Sequence, residues 1–458
     1  MRHFCFFSRI GCTTGALLLL WVVLPLAALG NEELAASIDT GDTAWMLTST
    51  LLVIMMTAPA LALFYGGLVS QRNVLSTLMH SFFALCLITV QWVLWGYSFA
   101  FGTGFRDTFI GGYLGGFDYL LFNGVGIEPF GTIPHLLFAT FQGTFAVITL
   151  ALISGSFAER ISFGAYVIFA LLWTTFIYDP LHYWVWGGGW LGADGIGALD
   201  FAGGTVVHIS SGVSALVAAV LVGRRMGFPK SIQPPHNLPF TLIGAALLWV
   251  GWFGFNAGSA LGANGLAATA FATTHAAAAA AGLTWVLIEW AFQGKPTLLG
   301  AASGAVAGLV AITPGAGFVG VPAALIFGVG ASVLCYAGVF FLKPKFGYDD
   351  SLDVFGIHGI GGTWGALATG LFAQESIGGT NGLFFGNPGQ FLIQLYGVLA
   401  AAALAGIGTF IILKVVNLIV PLRVDAEDET VGLDLSVHGE VGYNFLSPGI
   451  TSQLRHGE

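Results

Sequence analysis

Two short stretches of this sequence decide its fold: Asp200-Phe201-Ala202-Gly203-Gly204-Thr205-Val206-Val207-His208 and Asp353-Val354-Phe355-Gly356-Ile357-His358. Each begins with an acidic residue, which is typical of a helix N-cap, and each continues as a Gly-rich apolar run that carries one histidine. Corresponding Gly-interrupted segments in two halves of a membrane protein indicate a substrate path where the halves meet. The two stretches therefore predict two related halves with the path between them.

The composition supports a membrane location. Of the 458 residues, 56% are hydrophobic and only 8% are charged, whereas soluble domains carry about 25% charged residues. The formal net charge of −9 argues against a nucleic-acid partner. The 67 glycines have no three-residue period and suit helices that pack closely in lipid. The chain is predicted to be an all-α polytopic membrane protein.

Eleven apolar segments are long enough to cross a bilayer, which takes about 20 residues. They lie at 43–65, 77–101, 134–155, 161–179, 200–223, 239–259, 266–292, 297–313, 317–342, 354–373 and 391–420. We expect two inverted five-helix halves followed by one long final helix.

The N-terminus has the pattern of a signal peptide. Arg2 and Arg9 precede an apolar run over 16–29, and small residues follow at the cleavage position before polar Asn31. An uncleaved first membrane helix is the alternative. The predicted organisation is a signal peptide at 1–30, a membrane domain at 31–420 and a cytoplasmic tail at 421–458.

The basic residues predict the orientation. With the mature N-terminus outside, only Arg106 falls on the outer side, as the positive-inside rule requires. Eleven others fall on or beside the cytoplasmic side: Arg72, Arg160, Arg224, Arg225, Lys230, Lys295, Lys343, Lys345, Lys414, Arg423 and Arg455. The C-terminus is therefore predicted to be cytoplasmic.

Two histidines are the first candidates for the chemistry, because an ionisable residue inside a membrane helix is costly. Glycines flank both His208 and His358, which leaves room for a close helix contact. The alternative is that each imidazole only ties two helices together. His80 and His275 lack this setting, and we predict that both are structural.

The pattern does not predict a metal site, a cofactor or a disulfide framework. The four cysteines have no metal-ligand spacing, and two isolated histidines are too few for a metalloenzyme. We expect that the protein is not an enzyme.

Aromatic residues form a second candidate group. Phe141 and Phe145 share one helical face, and so do Trp252, Phe255 and Ser259. Trp186 stands just before three glycines near the predicted outer surface. Taken alone, such stripes more often serve packing or interfacial anchoring than binding.

Several motifs together resemble the ammonium transporter family, which includes the Amt, Mep and Rh proteins. They are Ala158-Glu159-Arg160, Trp186-Gly187-Gly188-Gly189, the two stretches quoted above, and Gly251-Trp252-Phe253-Gly254-Phe255-Asn256-Ala257-Gly258-Ser259. The resemblance runs from about residue 42 to residue 444.

The resemblance implies an eleven-helix homotrimer in the plasma membrane, the bacterial inner membrane, with one ammonium-conducting pore per subunit. It implies an outer ammonium-binding vestibule, a gate of two stacked rings, a pore with a hydrogen-bonded histidine pair, and a buried acid that supports the outer site. The corresponding residues are Phe141, Phe145, Trp186 and Ser259 for the vestibule, Phe145 and Phe255 for the gate, His208, His358 and Trp252 for the pore, and Asp200 for the support.

These residue types suit ammonium chemically. An aromatic face attracts a cation by about 0.5–2 kcal/mol, and a serine hydroxyl accepts one N–H bond. Those gains do not offset full dehydration of a charge, so a closed apolar pore favours neutral ammonia. Two alternatives stay open: a transporter of another small solute and an ammonium sensor. A folded output domain would mark a sensor, and the tail is short for such a domain.

The tail after residue 421 is acidic and punctuated by glycine, which on composition alone predicts a flexible segment. Gly432-Leu433-Asp434 and His438-Gly439-Glu440 nevertheless resemble the ammonium transporter tail, which packs across neighbouring subunits. The resemblance implies an ordered tail that couples subunits, and a cytoplasmic face where a PII-type nitrogen-regulatory signal protein docks.

Overall fold

The computed structural model describes residues 38–231 and 233–443. The predicted signal peptide at 1–30 lies outside the described residues, and so does the end of the predicted tail at 444–458.

Helical segments coincide with all eleven predicted apolar segments. They are α1 (Thr40–Leu68), α2 (Gln71–Phe101), α3 (His135–Phe157), α4 (Phe163–Trp186), α5 (Gly204–Val222), α6 (Leu238–Gly258), α7 (Gly265–Gln293), α8 (Leu298–Ile312), α9 (Val321–Phe346), α10 (Phe355–Gly359 continued by Ile360–Phe372) and α11 (Pro388–Ile419). In the described residues, nine are long and apolar enough to cross a membrane, α8 is a shorter apolar helix, and α10 is not among the nine. The protein is an all-helical multi-pass membrane protein, and the count of eleven spans stays a prediction.

The remaining elements are small. Within the described ranges, the connection between α2 and α3 holds a two-stranded antiparallel hairpin, and the tail holds two short helices. These are β1 (Pro129–Phe130), β2 (Ile133–Pro134), α12 (Ala426–Val431) and α13 (Leu433–His438). The connections also contain short helical turns at Leu120–Phe122, Glu375–Gly378 and Leu383–Phe385. We call the end where α1 begins the outer end and the end where α1 leads into α2 the inner end, following the predicted orientation.

Six of the membrane helices contain a π-helical turn. These turns are Met56–Leu61 in α1, Trp92–Gly96 in α2, Thr174–Tyr178 in α4, Gly204–Ile209 in α5, Gly338–Leu342 in α9 and Phe355–Gly359 in α10. The last helix of each predicted half thus begins with a π turn, and that turn carries His208 in α5 and His358 in α10. Such turns are frequent at functional sites because they change which side chains face a neighbour.

The fourth helix extends beyond its predicted end at residue 179. Asp179 and Pro180 follow directly on the π turn Thr174–Tyr178. A π turn is locally wider than an α-helical turn and tolerates the missing N–H of proline. The chain therefore stays helical as far as Trp186. Asp179 is therefore fully buried inside a membrane helix; its Oδ2 accepts a hydrogen bond from Gln91 Nε2 at 2.7 Å.

The two predicted halves meet through corresponding helices. α1 packs against α6, and α5 packs against α10. A Cβ added to Gly212 of α5 would collide with the Gly359 backbone, and one added to Gly362 of α10 would lie 2.8 Å from His208 Cβ. The predicted close approach of the two histidine helices is confirmed, and it depends on the absence of side chains at these glycines.

The tail is folded onto the inner end as far as it is described. The Leu433 N–H donates to Asn73 Oδ1 at 2.7 Å, and Asp434 Oδ1 accepts from the Ser76 N–H at 2.8 Å, at the start of α2. The Met226 N–H donates to Glu429 Oε1 at 2.6 Å. The tail is thus ordered against its own subunit, whereas composition alone predicted flexibility.

Candidate functional site

A cavity of about 540 Å³ opens at the outer end. Three of the predicted vestibule residues, Phe145, Trp186 and Ser259, line it together with Gln142, which the sequence did not single out. Phe141 is not among the lining residues. It is buried behind Phe145, with the two rings edge to face at 5.0 Å between centroids. Of the predicted set, three residues therefore meet in one cavity and the fourth supports them.

Asp200 organises the outer end of α5. Its carboxylate accepts hydrogen bonds of 2.7–3.1 Å from four successive backbone N–H groups, those of Gly203, Gly204, Thr205 and Val206. Its backbone carbonyl accepts the indole N–H of Trp186 at 2.7 Å. The same buried residue thus satisfies the free N–H groups at the start of a helix and fixes the ring that faces the cavity.

Two phenyl rings close the bottom of the outer cavity. The Phe145 and Phe255 rings stack with centroids 4.2 Å apart and an interplanar angle of 26°. Both are almost fully buried. The Ser259 hydroxyl donates to the Phe255 carbonyl at 2.8 Å, so its lone pairs remain available to accept from a bound group.

The two predicted histidines lie beyond this ring pair and contact each other. His208 Nδ1 and His358 Nδ1 are 3.2 Å apart. The Trp252 ring stacks on His208 at 5.5 Å between centroids, with an angle of 24°. The rings of His208 and Phe255 are 6.1 Å apart. One hydrogen bond thus joins the helices that end the two halves.

Three cavities follow one another along this line of residues. The outer cavity ends at Phe145. A narrow space of about 10 Å³, bounded by Phe255, Trp252, His208 and His358, comes next, and it is about the size needed for one water molecule. An inner cavity of about 420 Å³ begins at His358. A small neutral molecule fits between the wide ends, and a hydrated ion does not.

Thr313 is a site residue that the sequence analysis did not identify. It follows α8, is fully buried, and accepts the Trp252 indole N–H at 2.9 Å. Its hydroxyl is 3.4 Å from His208 Nε2. A threonine at the end of an apolar segment gives no sequence signal, because its role depends on two helices remote in the chain.

The prediction that Asp353 caps the helix carrying His358 is wrong. Asp350, and not Asp353, accepts the Phe355 N–H, at 2.7 Å, whereas Asp353 pairs with Lys343 at 2.6 Å. Asp350 stands eight residues before His358, as Asp200 does before His208, and this equal spacing was the signal that could have found it. Burial raises the pKa of Asp350 to about 6, although the charge of Lys343 acts to lower it.

A buried ion cluster borders the inner cavity. Arg225 pairs with Glu159 at 2.9 Å and with Asp349 at 2.7 Å. Burial acts to raise the pKa of Glu159 and Asp349, but the charge and hydrogen bonds of Arg225 hold both below their ordinary values. The cluster holds the inner connections together, with one guanidinium shared by two carboxylates. No group of three or more metal-ligating side chains occurs in the part of the chain that the structure describes.

Known proteins match the chain closely. A family model described as the Ammonium Transporter Family matches residues 44–443. An ammonium transporter of Bacillus subtilis (strain 168) is 52% identical over 408 residues, which covers 88% of this chain and 98% of that protein. The crystal structure of Candida albicans Mep2 superposes with a TM-score of 0.80 at 35% identity, covering 86% of this chain and 88% of that one. A structure titled Sensor Amt Protein gives a TM-score of 0.80 at 27% identity and covers 87% and 98% of the two chains.

Proposed function

This chain belongs to the ammonium transporter family, and we propose that it takes up ammonium by conducting ammonia through the pore of each subunit. Ammonium is captured in the outer cavity and gives up a proton to water there. It passes as ammonia between the Phe145 and Phe255 rings and along the His208–His358 pair, and takes a proton from water in the inner cavity. The observation that carries the proposal is the series of three cavities, in which the stacked rings separate a wide outer cavity from the histidine pair.

Capture at the outer end rests on two groups of suitable chemistry. The Trp186 indole offers a π face that Asp200 holds in place, and an indole is the strongest aromatic partner for a cation. Ser259 keeps lone pairs free for an N–H donor. Both line the outer cavity. Ammonium can therefore bind there without losing all of its water.

Selectivity arises below that cavity. A cation entering the narrow space would give up its hydration shell for phenyl, indole and imidazole rings, at a cost far above the gain from cation–π contacts. Neutral ammonia loses only its hydrogen bonds to water, and the imidazole nitrogens replace some of them. Potassium has no proton to lose, so the same barrier excludes it.

We extend the proposal to the architecture. The chain would carry eleven membrane spans over 31–420 after a cleaved signal peptide at 1–30, with the N-terminus outside and the tail at 421–458 in the cytoplasm. It would act as a homotrimer in the plasma membrane. The inverted arrangement is supported by the pairing of α1 with α6 and of α5 with α10.

Recording of lumenal pH together with current on reconstituted liposomes tests the central proposal, because ammonia that enters binds a proton and raises the lumenal pH even when no charge crosses the membrane. Ammonium should be moved at concentrations where an equal gradient of potassium moves nothing. The protein would instead be a transporter of another small solute if it took up such a solute and neither ammonium nor methylammonium competed with that uptake.

The outer cavity and the ring pair should respond differently to mutation. We expect Trp186→Leu to raise the half-saturating methylammonium concentration about two- to thirtyfold, since it removes a contact of about 0.5–2 kcal/mol. Phe255→Ala should change the maximal flux and leave half-saturation near the original value. Concentration-dependent flux measures both quantities. Trp290→Leu, at an exposed tryptophan on α7, is the matched control, and unchanged curves for both test variants would refute the assignments.

Sensing is a second candidate function, favoured by the likeness to the structure titled Sensor Amt Protein. A sensor would bind ammonium in the outer cavity without net uptake. Methylammonium accumulation in cells that lack other ammonium transporters discriminates the two functions, because accumulation requires conduction.

The tail offers a test of coupling between subunits. We expect Asp434→Ala to raise the rate of protease cleavage near the tail, because it removes an acceptor for an N–H group at the start of α2, a contact worth about 0.5–2 kcal/mol. Glu427→Ala is the control, since Glu427 is exposed and its side chain has no hydrogen bond within the described chain. A tail that is cut as fast in the intact assembly as in an isolated peptide would contradict the coupling.

We further propose that the inner face binds a PII-type signal protein. Pull-down from membranes of cells given sudden ammonium should recover it. The Asp434→Ala variant should recover less if the ordered tail forms part of the surface, and equal recovery would remove the tail from that surface.

A further inference from the structure

The Thr313 hydroxyl makes its hydrogen bonds inside the pore wall. A hydroxyl has one hydrogen to donate and two lone pairs to accept with. The Thr313 hydroxyl donates to the Leu309 carbonyl at 2.8 Å, within its own turn of helix. One lone pair accepts the Trp252 indole N–H at 2.9 Å. Only the second lone pair remains, and His208 Nε2 stands 3.4 Å away from the oxygen.

This arrangement determines which nitrogen of His208 carries the proton. An indole N–H cannot accept, and the threonine hydrogen is already donated, so the remaining contact forms only if His208 Nε2 carries a hydrogen. A neutral imidazole has one N–H. His208 Nδ1 is then the acceptor, and His358 Nδ1, 3.2 Å away, must donate to it.

We propose that Thr313 is a positioning residue that fixes the order of protons along the histidine pair. His208 is held as the Nε2–H form and His358 as the Nδ1–H form, which leaves His358 Nε2 as the open acceptor of the pair. That nitrogen has no hydrogen-bond partner within the described residues, and His358 lines both the narrow space and the inner cavity. The order of protons along the pair is therefore asymmetric, and the free acceptor lies on the histidine that borders the inner cavity.

This asymmetry matters for conduction and rests on the proposed function. Ammonia has three N–H groups that can donate, so the open acceptor on His358 gives it a binding position where the narrow space meets the inner cavity. Without Thr313, either order of protons would satisfy the hydrogen bond between the rings. In about half of the molecules the open acceptor would then belong to His208, and the asymmetry would be lost.

Nitrogen-15 NMR of histidine-labelled protein in bilayers tests the order directly, because protonated and unprotonated ring nitrogens have distinct chemical shifts. The signals are assigned by their loss in the His208→Asn and His358→Asn variants. We expect wild type and Thr313→Ser to show His208 with Nε2–H and His358 with Nδ1–H. Thr313→Val, which has the same shape without a hydroxyl, should show both orders.

Transport provides the second readout. We expect Thr313→Val to lower ammonium flux about twofold, because about half of the molecules would keep the open acceptor on His358, and Thr313→Ser to restore it. Wild-type spectra with His208 protonated at Nδ1, or Thr313→Val spectra identical to wild type, would overturn the proposal. If Thr313→Val fails to fold, Trp252→Phe replaces it. This variant removes one donor to Thr313 and should keep the proton order of the histidine pair. A change in that order would count against the proposal. Should wild type show the expected order but move no ammonium, the proposed function fails and the assignment of Thr313 stands.

Discussion

Replacing His208 or His358 with alanine is expected to impair selective ammonium conduction while leaving folding and assembly intact. Each change removes one partner of the 3.2 Å contact between the rings and widens the space of about 10 Å³ that both border. Water entering a wider pore lowers the dehydration cost on which selectivity depends. The ratio of ammonium to potassium flux should fall by at least about tenfold, which corresponds to about 1.4 kcal/mol of barrier difference.

Lumenal pH for ammonia entry, current for potassium entry, and size-exclusion chromatography on the same preparations separate conduction from folding. His275→Ala is the matched control, because His275 is exposed on α7 and stacks on Trp249 outside the three cavities. If both single variants conducted ammonium normally and still rejected potassium, the pair would have no part in conduction. Variants that fail to assemble would instead favour a purely structural role as a tie between α5 and α10.

Replacing Arg160 with alanine is expected to prevent a stable assembly. Arg160 is fully buried, and all five of its N–H groups donate. The acceptors belong to three inner connections of the chain, at distances of 2.5–3.2 Å: the carbonyls of Ser156, Ala158, Gly223 and Asp349, and the Ser351 hydroxyl. The residue therefore joins the inner ends of α3, α5 and α10.

The expected cost is large relative to total stability. Burial lowers the pKa of Arg160 to about 10, so the side chain stays charged at neutral pH. Removing it leaves the carbonyls of Gly223 and Asp349 without their donor, at about 1–3 kcal/mol each, against a net stability of about 5–15 kcal/mol for a folded protein. Arg160→Lys keeps the charge but supplies only three donors, and should be intermediate.

Thermal unfolding and size-exclusion profiles in detergent measure this effect. Arg106→Ala is the control, since Arg106 is an exposed arginine at the outer end. An Arg160→Ala protein that melts within a few degrees of wild type would show that the three connections are held by other contacts, with the Glu159–Arg225–Asp349 cluster as the first candidate.

The sequence by itself determined the helical membrane fold and marked most of the candidate site residues. A spanning helix satisfies its backbone hydrogen bonds within its own segment, so about twenty apolar residues are enough to identify it. Buried histidines among glycines are costly and rare in lipid, which marked His208 and His358. The close approach at Gly212 and Gly362 followed from the same local pattern.

Only the tertiary structure decided how those residues work together. It placed Phe141 behind the cavity wall, assigned the second acidic cap to Asp350 instead of Asp353, and brought Thr313 to His208 across 105 residues of sequence. It also carried α4 beyond residue 179, because the helix continues through Pro180 directly after a π turn. Contacts of this kind depend on the angle and register at which remote helices cross, and no single segment contains that information.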